Sequence, residues 1–417
     1  MQTKSDQASR EFDVVIWGAT GFVGRLIAEY MARSNFPVRW AMAGRSHDKL
    51  ERVRKEIAAE FPAAADVPLL EANADDEASL EALASKTKVI ATTVGPYGLY
   101  GKKLVAACVH RGTDYCDLTG EVHFMRWAID EFHEKAKASN TRIVPACGFD
   151  SIPSDLGVFF LADEARRRGK PLAEVRGFVT DSKGGVSGGT VASMLLVSEL
   201  MMHDPDARRL LADPYALSPD RASEPNTDEG DRMTPRFDTT LDAWAAPWLM
   251  ASVNMRVVRR SNALLGHSYG RMFKYTEELA MPGGRWGFVP AGLMTGGIIL
   301  GMSLLALPPA RKLISEKIAP GDGPSKEARE NGRFTLRFLG RLEGDETPTI
   351  AVRVSGRGDP GYLATSRMIG QSALCLALDT PQPGFEGGVL TPATAMGMRL
   401  VERLRTAEMT FEVEQVR

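Results

Sequence analysis

The chain has 417 residues, enough for two domains, each with a core of its own. Its 51 basic and 53 acidic side chains leave a formal net charge of −2, which gives no electrostatic case for a nucleic-acid partner. Four scattered cysteines (Cys108, Cys116, Cys147, Cys375), with no CxxC pair and no histidine at zinc spacing, argue against a disulfide framework or a metal site.

The N-terminal segment MQTKSDQASREFD has no apolar run of signal-peptide type, so a cytoplasmic location is expected. Val14, Val15, Ile16 and Trp17 then form a continuous apolar run, the pattern of a strand buried on both faces of a parallel sheet. Gly18, Gly21 and Gly24 follow at G-x-x-G-x-x-G spacing, and residues 25–33 read as an amphipathic helix. Strand, glycine turn and helix in that order suit a dinucleotide. The turn lets backbone approach a pyrophosphate, and the helix N-terminus offers it free N–H groups. Gly18, Ala19, Thr20, Gly21, Phe22, Val23 and Gly24 are therefore the expected phosphate-binding stretch.

A second strand over residues 38–43 ends in Gly44-Arg45-Ser46. An acid at this strand end would hold the ribose 2′-hydroxyl of NAD. Arg45, beside Ser46 and one turn before Lys49, instead suits the 2′-phosphate of NADP. NADP is thus favoured over NAD, with a solvated surface charge as the other reading of Arg45. Residues 49–61 predict a charged helix and residues 67–71 a third strand. Asp76 beyond it either accepts from an adenine amino group or caps the helix that runs to residue 84.

A fourth strand over residues 88–94 leads into Val94-Gly95-Pro96-Tyr97-Gly98-Leu99-Tyr100-Gly101. Ligands bind at such strand ends in open α/β sheets. Val94, Gly95 and Pro96 are expected against the cofactor, and Tyr97 and Tyr100 supply hydroxyls. A helix over 102–111, a strand over 114–118, a helix over 122–139 and a strand over 142–147 follow, the last opening onto Gly148-Phe149-Asp150-Ser151. This alternation predicts an α/β protein whose N-terminal domain, residues 10–155, is a doubly wound parallel Rossmann sheet.

From residue 156 the pattern changes to a second, α+β domain extending to about residue 360. Helices are predicted over 156–168 and 190–202 and strands over 174–180, 334–342 and 349–355, with an irregular excursion or mobile lid over 204–239. Residues 287–307 carry no charge over a length that matches a bilayer span. Five glycines and a proline there favour a segment that is buried, or that dips peripherally into a membrane at a substrate mouth, over a true span. Helices over 362–378 and 391–405 and a strand over 410–416 close the chain.

The motifs GATGFVG (18–24), AGRS (43–46), VGPYGLYG (94–101), DLTGE (117–121), GFDSIPSDLG (148–157), GYLAT (361–365) and GGVLTPATAMG (387–397) occur in order along nearly the whole chain. In them the chain resembles the saccharopine dehydrogenase-like oxidoreductases, in the branch that contains the trans-acting enoyl reductases and the vertebrate saccharopine dehydrogenase-like protein. The resemblance implies an NAD(P)-binding Rossmann domain, an α+β catalytic domain, and C-terminal helices (361–417) that return to the Rossmann domain. Saccharopine dehydrogenases bind a dicarboxylic amino acid. The apolar stretch at 287–307 favours instead a small-molecule or carrier-bound acyl or polyketide substrate, and a homo-oligomer is expected.

Reduction of an enoyl group requires a donor for the developing enolate charge and an acid to quench it. The candidates at strand carboxyl ends are Tyr97, the first choice of donor, Glu121 and Asp150. Each has a plainer reading: a packed loop aromatic, a helix N-terminal charge and a helix cap respectively. Gly185-Val186-Ser187-Gly188-Gly189 also matches the G-x-S-x-G elbow of hydrolases, with His203 and His267 downstream, but the elbow belongs after an early strand of a hydrolase sheet. A third reading is a non-catalytic NADP-binding protein held at lipid surfaces.

Overall fold

The structure is a computed structural model that describes residues 9–34, 36–185, 188–225, 230, 232–305, 307, 309, 311 and 323–416. Strands β1 (Phe12–Trp17), β2 (Trp40–Gly44), β3 (Leu69–Glu71), β4 (Thr87–Thr92), β5 (Asp114–Cys116) and β6 (Arg142–Val144) alternate with helices. The helices are α1 (Phe22–Ser34), α2 (His47–Glu60), α3 (Glu77–Ser85), α4 (Tyr97–Tyr100), α5 (Lys102–Arg111) and α6 (Val122–Ala138). Every residue of β1 is buried, because it lies inside a sheet covered by helices on both faces. The sheet order is β13-β6-β5-β4-β1-β2-β3, with every pairing parallel. The two-residue β13 (Gly388–Val389) comes from the far end of the chain. This is the doubly wound α/β sheet that the alternation predicts.

A second, mixed sheet has the order β14-β12-β11-β7-β10-β9-β8. It comprises β7 (Leu172–Lys183), β8 (Arg236–Asp238), β9 (Ala243–Pro247), β10 (Lys274–Met281), β11 (Arg333–Leu342), β12 (Ile350–Arg357) and β14 (Met409–Glu414). Only β7 and β10 run parallel. Helix α7 (Ile152–Arg167) lies against it, so close that a Cβ on Gly157 would stand 2.4 Å from the Phe338 ring.

The remaining helices are α8 (Gly188–His203), α9 (Pro205–Ala212), α10 (Ala251–Leu264), α11 (Phe288–Leu305), α12 (Lys326–Glu330), α13 (Thr365–Leu378), α14 (Pro392–Ala395) and α15 (Gly397–Thr406). Helix α13 packs on the first sheet: Gln371 donates to the Tyr30 hydroxyl at 2.6 Å, and Arg142 of β6, paired with Asp114, donates to the Leu376 carbonyl. The resemblance sends all of 361–417 to this sheet, but β14 instead pairs with β12 of the second.

Two further expectations need correction. The segment 204–239 is not a free lid over its first part. It begins with α9, and α10 holds the turn that follows. Arg256 donates to the carbonyls of Leu211 (2.7 Å) and Asp213 (3.0 Å), Arg259 to Pro214 (2.9 Å) and Arg260 to Leu217 (2.6 Å). These three arginines are buried, and burial beside Arg126 pushes Arg260 down to about 9. Of the two readings of the apolar stretch 287–307, buried or dipping into a membrane, the buried one does not hold for residues 288–305. Those residues form α11, in which only Ala291 and Thr295 are buried while Leu293 is 74% and Leu300 60% exposed.

Candidate active site

The site begins at the turn between β1 and α1. Gly18 has a φ of 91°, a left-handed conformation that suits glycine. A Cβ on Gly24 would lie 2.1 Å from the Gly18 carbonyl oxygen, and one on Gly18 would press on Thr93 and Val94. The bare backbone of this turn and the start of α1 form a cradle that fits a pyrophosphate. Arg45 is exposed at the end of β2. Ser46 is the N-cap of α2, accepting from the Lys49 amide, and the exposed Asp76 caps α3 by accepting from the Ala78 amide at 3.0 Å. Of the two readings of Asp76, the structure shows the cap.

A cavity of about 670 Å³ opens from this turn. At the cradle end its wall includes Gly21, Phe22, Thr93, Gly95, Gly148 and Asp150. At the far end it is lined by Met194, Val197, Met201 and Met202 of α8 and by Met302 and Leu305 of α11. Asp150 is the one carboxyl among the described lining residues. Ser151, not Asp150, is the N-cap of α7. Desolvation alone pushes the Asp150 carboxyl up to about 6. The one arginine among the described lining residues, Arg256, is committed to the carbonyls of the clamped turn.

Tyr97, which lines the cavity, and Glu121, which does not, lie close together, each held by hydrogen bonds within the protein. Tyr97 is buried, and its hydroxyl donates to the Thr92 carbonyl (3.3 Å) and accepts from the Leu118 amide (3.2 Å). Burial and the nearby Asp117 raise its pKa well above the ordinary value. Glu121, wholly buried, accepts from the amides of Tyr97 and Gly98, both at 2.8 Å, and from the Ser193 hydroxyl at 2.7 Å. It therefore caps α4 and ties α8 to it. His123, whose Nε2 lies 3.6 Å from Glu121, has a pKa lowered chiefly by burial.

Ser187 lies outside the described residues. His203 is exposed, and His267 sits in the turn after α10 beside Arg271 at 2.6 Å; neither lines the cavity. The α8 and Gly361–Thr365 portions of the wall were not legible as site residues in the sequence, whereas the 287–307 stretch was read at a substrate mouth and lines the cavity through Met302 and Leu305. The clustered methionines of α8 were the one available signal, since methionine suits adaptable apolar sites.

The Saccharopine dehydrogenase NADP binding domain family matches residues 14–144. A Mycobacterium tuberculosis protein provisionally named a trans-acting enoyl reductase is 44% identical, covering 98% of each chain. The trans-acting enoyl reductase of Mycobacterium ulcerans is 40% identical over 95% of this chain and 96% of its own. The chain belongs to the saccharopine dehydrogenase-like family. In fold it is similar to the apo saccharopine dehydrogenase (L-Glu forming) of Saccharomyces cerevisiae, with a TM-score of 0.51 at 12% identity over 96% of this chain and 99% of that one. It is an NAD(P)-dependent oxidoreductase with NADP as its cofactor.

Proposed function

We propose that this oxidoreductase reduces an enoyl C=C bond on an apolar acyl or polyketide chain. The observation that carries the reading is the cavity. It runs from the glycine cradle to a methionine- and leucine-lined end, and among its described lining residues the one carboxyl is Asp150, raised to about 6 by desolvation. The residues 18–24 would hold the pyrophosphate, and Arg45 the 2′-phosphate; the bound cofactor supplies reducing equivalents to the substrate's β-carbon.

The chain's own residues do the rest. The far wall orients the apolar tail by burying it, and positioning of this kind accounts for a large share of catalysis. Asp150, whose protonated form desolvation favours relative to an ordinary carboxyl, delivers a proton to the α-carbon, which carries the negative charge once the β-carbon is reduced. Glu121 and the Tyr97 hydroxyl hold the loop that borders the reaction and do not transfer protons.

A saccharopine-type substrate is disfavoured, since a dicarboxylic amino acid needs cations to meet it. The only arginine on the described wall already satisfies carbonyls, and no lysine lines it. The trans-acting enoyl reductase names of full-length relatives support the same reading. Spectrophotometric NADPH oxidation by the purified chain, with long-chain trans-enoyl thioesters set against dicarboxylic amino acids, tests it.

A further inference from the structure

Helix α11 has 18 residues and no charged side chain, about 27 Å of apolar rod. Both its ends are tied to one folded body. At the start, Trp244 of β9 donates its indole N–H to the Arg285 carbonyl at 3.0 Å and packs against Phe288. At the end, Ser198 of α8 donates to the Leu305 carbonyl at 3.1 Å. A helix anchored in this way cannot carry the chain across a bilayer, although its length and composition would allow it.

What it can do is sink sideways into one leaflet. Phe288, Val289, Leu293, Ile299, Leu300 and Leu304 are all exposed, far more contiguous apolar surface than solvent contact alone favours. From residue 279 to residue 315 the sequence has no acidic residue, and its only charges are Arg285, before the helix, and Arg311 and Lys312, which follow the apolar run in sequence. Trp286, 78% exposed, stands beside Arg285. A sequence that brackets an apolar run with cations, and sets an exposed arginine and tryptophan at its start, has the anchors that anionic headgroups and the membrane interface select. A protein partner, a second copy included, gives no reason for that exclusion of acids.

The same helix walls the cavity. Met302 and Leu305 line it, while Leu293 and Leu300 face outward. We propose that α11 rests in one leaflet of an anionic lipid bilayer and that the cavity takes its acyl chain from that leaflet. The loading step rests on the acyl-reductase reading above; the seating does not.

The test is flotation of the full chain with vesicles of phosphatidylcholine and phosphatidylglycerol, beside vesicles of phosphatidylcholine alone. The chain is expected to float with the mixed vesicles and less with the neutral ones. The double variant Leu293→Glu/Leu300→Glu, which changes only outward-facing side chains, is expected to float roughly tenfold less or worse. It keeps NADPH binding and turnover of a short, water-soluble enoyl thioester, but loses turnover of a long enoyl chain embedded in vesicles. A wild-type chain left in the soluble fraction, or a variant that floats as well, overturns the proposal. So does a wild-type dimer that the variant splits into monomers, which would mean that a second copy covers the face. Equal turnover by both proteins of a long chain presented on a carrier protein in water, at the rate seen with vesicles, overturns the loading step. Flotation with no turnover of either thioester sinks the reductase reading and the loading step while supporting the seating.

Discussion

The Ser193 hydroxyl donates to Glu121 at 2.7 Å, fastening α8, which walls the apolar end of the cavity, to the loop beside the nucleotide cradle. The same carboxylate accepts from the Tyr97 and Gly98 amides, so one buried side chain sets the distance between the two ends of the site. Glu121→Ala leaves those two donors without their partner and should lower the unfolding free energy by on the order of 3 kcal/mol, measured by urea denaturation. Ser193→Ala removes one bond and should cost about 1 kcal/mol. A stable Glu121→Gln protein with turnover lost a hundredfold or more would show instead that Glu121 moves a proton.

Tyr97→Phe should keep turnover within about threefold and cost about 1 kcal/mol of stability, because its hydroxyl serves Thr92 and Leu118 rather than a substrate. A loss of a hundredfold in kcat at unchanged stability would reinstate the hydroxyl as the donor.

Asp150→Asn should lower kcat by roughly a hundred- to ten-thousandfold, the usual range for a general acid. The wild-type kcat/KM should fall as pH rises through about 6, since the protonated carboxyl is the active form. The variant's profile should be flat there. A wild-type profile that rises over that interval would contradict the role.

Arg45→Ala should weaken NADPH by roughly ten- to a hundredfold through loss of a charge-assisted contact and leave NADH nearly unchanged. Equal losses for both cofactors, read by fluorescence titration, would return Arg45 to being a surface charge.

Asp155 gives a stability prediction. Its carboxyl accepts from the Ser261 hydroxyl and from the Ala393 amide (2.7 Å), joining α7, α10 and α14, and burial pushes its pKa up to about 7 from 3.8. A raised carboxyl pKa means that the native state binds the proton more tightly. Its stabilising contribution is therefore complete below pH 3.8 and is lost as pH rises to about 7. Differential scanning calorimetry should show Asp155→Asn with a flatter melting-temperature profile across that window. An unchanged profile would remove Asp155 as its cause.

The parts legible in the sequence were those governed by local rules. The unbroken apolar run of β1, the glycines at 18, 21 and 24 and the strand-helix alternation describe the first sheet because each needs only neighbouring residues. β13 was not legible, since two residues have no periodicity and their pairing with β6 comes from chain more than 200 residues away. Helix α10 was hidden because its arginines are buried on carbonyls, against the rule that charges mark the wet face. In the site, position was readable but use was not. That Tyr97, Glu121 and Asp150 stand at strand ends follows from the pattern; that the first two are committed to Leu118 and Ser193 depends on contacts made only in three dimensions.

The central claim is that the cavity reduces an apolar enoyl chain with NADPH. Its most direct test is steady-state oxidation of NADPH by the full chain with a long-chain trans-enoyl thioester, with the saturated product identified by mass spectrometry. Turnover that strengthens with chain length, and none with dicarboxylic amino acids, is the predicted result. NADPH binding without oxidation in the presence of any enoyl chain, or turnover confined to an amino-acid substrate, would contradict it.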